Sequence, residues 1–502
     1  MKLAFPPLRF ILSVLLCFIA PVIAAGTAHA HVGSKDVYET VAAGPYKLYV
    51  TIRTPTVIPG VATVEVRSSG ANVAGIRITP LPITGEASKH PPTSDPMTRS
   101  TEDPAFFTGS LWLMAPGSWE VRFDIAGEAG TQTMSVPVPA VALSTLKMQR
   151  GLGIVLGALG LFLVVSMAGI VVAAVRDARL EPGAVPSPGR KRRAVVATAA
   201  SLAFMALVLW GGATWWNAEA ASYSLDVYRP LRVDPVLSGN VLDLKVEALD
   251  LDGGLRGRSN NDFLRDHGHL MHLYAIREPE MDAVFHLHPD LAGPGNFRIT
   301  LPAMPPGDYA LYGDVVHASG FPETLVAKIR IPVNLPGGRP GPDDAAAYPP
   351  PLSQGRLGDS YKLPDAYAMV WDRPATLTAN AGYTFRFHLL DAQGKPAGDM
   401  QAYMGMAGHA AFVKTDGTVF AHTHPEGSAA MAALMLANGG GDGTAHAGMN
   451  MEGMEMNEHS EPVSSTVEFP YGFPSAGHYR IFIQMKHGTT VETGAFDAAV
   501  VE

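Results

Sequence analysis

Asp266-His267-Gly268-His269-Leu270-Met271-His272 and, about 140 residues later, Met404-Gly405-Met406-Ala407-Gly408-His409 are two copies of one pattern. The first copy continues to Phe285-His286-Leu287-His288-Pro289, then Gly307-Asp308-Tyr309 and His317. The second continues to Phe420-Ala421-His422-Thr423-His424-Pro425, then Gly477-His478-Tyr479 and His487. Aligning His272 with His409 sets His267 against Met404 and His269 against Met406. Tyrosine and last histidine are eight residues apart in both copies. Upstream, Tyr223 to Pro230 matches Tyr367 to Pro374, each ending in Arg-Pro. The match therefore spans whole domains, residues 217–335 and 363–502, as gene duplication produces. Residues 336–362, rich in proline and glycine, read as a linker, semi-rigid at Pro349-Pro350-Pro351. Short alternating runs such as Val241 to Glu247 and Tyr383 to Leu389 read as strands bounded by turn residues. The expected fold is mainly β: three Ig-like β-sandwich domains plus two transmembrane helices.

At 502 residues the chain exceeds one core, and its net charge of -9 argues against a nucleic-acid partner. Residues 1–30 have a basic start, an apolar run and the ending Ala28-His29-Ala30, the form of a secretory signal peptide. The single cysteine, Cys17, falls inside it, so the mature chain has no disulfide and no thiolate ligand. Cleavage after Ala30 exposes His31, whose amine and ring nitrogen together chelate Cu(II). Residues 31–146 read as a first extracytoplasmic β-sandwich, with strands Tyr46 to Ile52 and Val61 to Val66 around Pro59-Gly60.

Residues 151–175 and 194–216 are uncharged runs long enough to span a bilayer. The connector, 176–193, carries Arg176, Arg179, Arg190, Lys191, Arg192 and Arg193 against Asp177 and Glu181. The positive-inside rule makes it cytoplasmic and places both large flanking regions outside the inner membrane of a bacterium. Neither span holds an acidic residue or a histidine, so they read as an anchor and not as a transport path.

Of 17 histidines, 14 follow residue 260, and they recur at matched places in the two copies. Residues two apart on a strand share a face, so His286 projects with His288 and His422 with His424. The expected metal ligands are His272, His286, His288 and His317 in the first copy, and His409, His422, His424 and His487 in the second. His267 and His269, or Met404 and Met406, are outer or alternative ligands. The second copy also carries an insert, residues 426–462, containing Met449, Met451, Met454 and Met456 among Gly, Glu and Asn. Thioethers clustered in polar sequence suit Cu(I), so copper, as Cu(I) or Cu(II), comes before zinc as the expected metal.

The junction Ala28-His29-Ala30-His31 resembles that of periplasmic copper-resistance sandwich proteins, whose mature N-terminal histidine binds Cu(II). The first domain is similar to YtkA/FixH-like sandwich domains through Gly44-Pro45-Tyr46-Lys47 to Val66 and Gly117-Ser118-Trp119-Glu120-Val121. It lacks the Asp-x-His pair that completes the copper-resistance site, so only His31 carries over. The expected function is a membrane-anchored extracytoplasmic copper-binding protein for buffering, delivery or resistance, a binder in preference to an enzyme. Its expected partners are the membrane and a copper chaperone, transporter or oxidase. A redox metalloenzyme using the same histidines, or a metal-free assembly scaffold for an oxidase-like complex, are the alternatives.

Overall fold

The computed structural model describes residues 35–181, 183–248, 258–439 and 463–502. The expected signal peptide (1–30), His31, and Met449, Met451, Met454 and Met456 lie outside the described residues. The chain is mainly β, with antiparallel sheets facing each other in pairs and two long apolar helices.

In the first pair, Tyr46–Arg53 sits between Val37–Ala43 and Gly60–Gly70, and the second sheet centres on Val73–Pro82 and Gly117–Gly127. Alternation drives the packing: Tyr46, Leu48, Val50 and Ile52 point inward against Val121, Phe123 and Ile125. This core is separate from those of the later domains.

Helix α1, Arg150–Arg176, and helix α2, Pro188–Leu225, are both long and apolar enough to cross a membrane. Ser187 caps α2, its hydroxyl accepting from Arg190 N, with Pro188 at the first helical position. The helices leave their apolar side chains exposed, among them Phe162, Leu163, Leu207 and Trp210. Helix α2 extends beyond the 194–216 run in both directions.

The two repeats have matching architecture. In each, a strand opening on the aligned histidine, His272–Glu278 or His409–Lys414, lies between the H-x-H strand and the long Tyr-bearing strand. These central strands are buried on both faces. Leu273, Ala275, Phe285 and Leu287 enter the first repeat's own core. Tyr274, Ile276, Val284 and Tyr312 turn outward and meet Ala411, Val413, Phe420 and Phe482 of the second repeat. Tyr312 stacks flat on Phe420, with ring centroids 4.4 Å apart. Arg480, fully buried, forks onto Asp497 at 2.8 and 2.9 Å and donates to the carbonyls of Met281 and Pro350. Sheet faces buried on both sides explain continuous apolar runs such as Ala410-Ala411-Phe412-Val413.

The stretch read as a linker does more than connect. Ala345–Ala347 pairs with the H-x-H strand Val284–Leu287, extending the first repeat's sheet toward the second. Within the 426–462 insert, Met431–Gly439 forms helix α3, whose Ala-Leu-Met composition favours helix. Helix α3 ties three domains together: Ala432 N donates to Asp266, Ala433 packs with Val316, and Asn438 exchanges hydrogen bonds with the Ser135 backbone.

Candidate metal centre between the repeats

The two quoted stretches are tight turns of the same build. Asp266 and His269 exchange both backbone hydrogen bonds around His267 (φ 51°) and Gly268 (φ 88°). Tyr403 and Met406 do the same around Met404 (φ 51°) and Gly405 (φ 80°). Two successive positive φ values define a type I′ turn, which is why glycine follows in both copies. The turns meet across the interface, the His267 ring lying against the Met404 backbone.

The interface gathers eight histidines: His267, His269, His272, His286, His288, His409, His422 and His424. Two triads within it can hold a metal ion, His272/His286/His288 and His267/His409/His424, each with one ligand atom per residue inside 4.8 Å of the others. The second is composite, because His267 comes from the first repeat.

In the first triad every outward nitrogen is held. His272 Nε2 donates to the Asp266 carbonyl at 3.0 Å, His286 Nδ1 to Gln484 Oε1 at 2.8 Å, and His288 Nδ1 to Asp344 Oδ1 at 3.0 Å. These partners place the protons outside and leave the inner nitrogens with lone pairs. Those inner atoms converge: His272 Nδ1 is 3.2 Å from both His286 Nε2 and His288 Nε2. Lone pairs facing each other at that distance repel unless a cation lies between them. Ligands about 2.0 Å from a tetrahedral centre are about 3.3 Å from one another, so the spacing fits a metal ion. Asp344 is held below its ordinary pKa: burial opposes this, and the hydrogen bonds from the His288 ring and from the Gly341 and His288 N–H groups outweigh it.

In the second triad most of the ring nitrogens have no protein partner. His409 and His424 leave both ring nitrogens buried and unsatisfied, as His267 and His422 leave Nε2. A buried polar atom without a partner is costly, and metal ligation would satisfy these. His272, His286, His409 and His424 have pKa values well below the ordinary range, through burial first and the charge of neighbouring rings second. The rings are therefore neutral, the form that binds metal.

The repeats exchange their supporting groups. His286 of the first leans on Gln484 of the second, and His422 of the second approaches Asp314 of the first at 3.4 Å. Asp314 and Gln484 are equivalent positions, opposite His272 and His409 in the strand pairing. His269 stacks on His288 at 4.0 Å, its Nε2 facing Asp343 at 3.3 Å. Met406 is buried and Met404 half-buried in their turn.

Two expected ligands lie elsewhere. His317 is enclosed by Asp262 at 2.7 Å and Glu323 at 3.0 Å, beside the buried Arg258–Glu323 pair. Burial opposes its charge, but the bonds to both carboxylates prevail and raise its pKa. His487 lies between Asp365 at 2.8 Å and Asp399 at 3.1 Å, and groups with Asp365 and Glu492. The reason is strand parity. His317 is an even number of residues from the core-facing Tyr309, so it points into its own domain, whereas Asp314, an odd number away, faces the other repeat. Tyr479, Gln484 and His487 repeat the arrangement.

Sequence reasoning missed Gln484, Asp314, Asp344 and Asp266. The parity of Asp314 and Gln484 against the tyrosine was available, and so was the Asp343-Asp344 pair in an otherwise Pro/Gly-rich stretch. What was missing is that the outer sheet faces meet.

The first domain closes one side of the centre. Tyr38 O accepts from Ser428 N at 2.9 Å, Tyr38 N donates to Ser428 Oγ at 2.9 Å, and Glu39 Oε1 accepts from Ala429 N at 2.6 Å. This clamps the loop that follows His424.

Comparison with known proteins adds little to this geometry. Residues 362–502 match a family model described as a domain of unknown function (DUF8832). No curated protein matches the chain. Among solved structures, a 1.5-MDa bacterial ice-binding adhesin is 7% identical, over 92% of this chain and 99% of that one, with a TM-score of 0.15. The E. coli alpha-2-macroglobulin is 8% identical over 94% of this chain and 23% of its own, with a TM-score of 0.19. The ICAM-5 D1–D4 ectodomain fragment is 7% identical over 91% and 77%, with a TM-score of 0.15. At such TM-scores these likenesses carry no argument, and the reading of this chain rests on its own residues.

Proposed function

We propose that the protein is a membrane-anchored, extracytoplasmic copper-binding protein whose two repeats together form the metal centre, and that it buffers or delivers copper. The observation that carries the reading is the first triad: three outward nitrogens held by Asp266, Gln484 and Asp344, and an inward His272 Nδ1 lying 3.2 Å from each of the other two inward nitrogens. Such outer partners fix the tautomer and raise the basicity of a ligating imidazole. The choice of copper rests on the His-Gly-His to Met-Gly-Met exchange and on a mature sequence rich in methionine and histidine without cysteine. The extracytoplasmic setting rests on the basic connector between the two apolar helices.

The test is metal content of the full-length protein, purified in detergent from copper-replete cells, followed by titration with Cu(I), Cu(II) and Zn(II). Copper bound at a hundred times its dissociation constant should stabilise the fold by about 2.7 kcal/mol. The double substitution His286→Ala/His288→Ala should remove the first triad's share of that gain and leave the share of His267, His409 and His424. A folded protein that gains nothing from any of the three metals would refute the reading.

A further inference from the structure

The two triads are nearly as close to each other as their members are among themselves. Ring centroids within them are separated by 4.6 to 5.4 Å, as His286–His288 and His272–His286 show. Between them, His267–His272 and His286–His409 are both 6.1 Å apart, and His272–His409 is 6.4 Å. His422 stands at the seam, 5.3 Å from His272, 5.5 Å from His286, 5.4 Å from His409 and 4.7 Å from His424. Its buried Nε2 has no partner.

A cavity of about 130 Å³ reaches this seam, bounded by Asp266, His272, Asp314, Phe420, His422 and His424, with Lys35 and Asp36 of the first domain beyond. It touches one member of each triad, His272 and His424, and has room for several waters. The duplication matches His272, His286 and His288 with His409, His422 and His424; it accounts neither for His267 in the second triad nor for a space opening onto both.

We propose that the triads hold two metal ions as one coupled pair, and that the cavity admits a ligand of one to three atoms whose lone pairs bridge them. Hydroxide, azide and dioxygen share that chemistry. This rests on the metal-binding reading above and deepens it. Paired ions in proteins are typically about 3.5–4 Å apart, a separation at which one small ligand contacts both. His267 is the residue that makes the pair depend on contact between the repeats, since the first repeat lends it to the second triad.

The experiment loads the full-length protein in detergent with Cu(II), counts bound copper, and integrates its electron paramagnetic resonance signal. A coupled pair gives two coppers per chain with a signal far below two spins. Azide should then add a charge-transfer band that saturates at one azide for two coppers. Two coppers giving two full spins would overturn the proposal, as would a single copper with a single spin. No bound copper would instead remove the metal centre itself. The substitution His267→Ala should convert the silent pair into one copper with a full spin per chain, and retention of the silent pair would count against the assignment. The wild-type measurement decides the matter even if that variant fails to fold.

Discussion

Gln484 is the group through which the second repeat controls the first repeat's triad. It is 2% exposed, its Oε1 accepts from His286 Nδ1 at 2.8 Å and from Tyr274 Oη at 3.2 Å, and its Nε2 faces Thr493 Oγ1 at 3.4 Å. In Gln484→Leu the side chain keeps its approximate volume and loses the acceptor. His286 is then free to place its proton on either nitrogen, and a proton on Nε2 blocks ligation. Loss of such an outer partner typically weakens metal binding 10- to 100-fold, or about 1.4–2.7 kcal/mol. The fold should lose in addition about 1–3 kcal/mol for the buried Tyr274 O–H left unpaired, whereas His286 Nδ1 keeps Tyr403 Oη at 3.3 Å. Gln484→Glu keeps the acceptor and adds a negative charge, so it should bind Cu(II) at least as tightly as the parent. The assay is competition with a chelator of known affinity at one pH, after near-ultraviolet circular dichroism has shown that each variant is folded. If Gln484→Leu binds copper like the parent, or Gln484→Glu falls as far as Gln484→Leu, the cross-repeat support has been misread.

Arg480→Ala should destabilise the repeat pair by about 3–5 kcal/mol, because Asp497 is left buried without its cation, and Arg480→Met/Asp497→Leu should recover most of that in denaturant unfolding. His317→Asn should leave copper affinity unchanged while lowering stability, and more so at pH 6 than at pH 8.5. The folded pKa of His317 is raised, so its contribution is complete below the unfolded value of about 6.5 and fades as pH rises through the folded one. In Gly427→Ala the added Cβ would meet the Tyr38 carbonyl and Glu39 carboxylate at 2.3 Å, at a φ of 155°. Strand 37–43 should then lose its hold on the loop after His424, seen as faster amide exchange at Ser428 and Ala429.

The sequence carried the strands, the apolar helices and the pairing of His286 with His288, because strand alternation and apolar length are local properties. It also carried the duplication, which marked the histidines worth watching. Local patterns could not show that the two domains face each other through the outer sides of their sheets. A strand such as Ala410-Ala411-Phe412-Val413 gives the same apolar run whether its second face meets a helix, a membrane or another domain. For that reason the ligands were assigned within each copy, and the support that Asp314 and Gln484 give to histidines of the other repeat went unseen. Recurrence also marked a different kind of site: Asp262–His317 and Asp399–His487 are matched pairs, away from the interface between the repeats.

The connecting segment between the repeats has a thermodynamic consequence. Pinned at Ala345–Ala347 on one side and through the Pro350 carbonyl to Arg480 on the other, it keeps the two half-sites permanently in each other's company. Short tethers give effective concentrations on the order of millimolar. Mixed as separate chains at micromolar concentration, the same two domains would meet about a thousandfold less often. Most of the entropy of assembling ligands from two domains is thus met when the polypeptide is made, and an arriving ion would find the rings already in place.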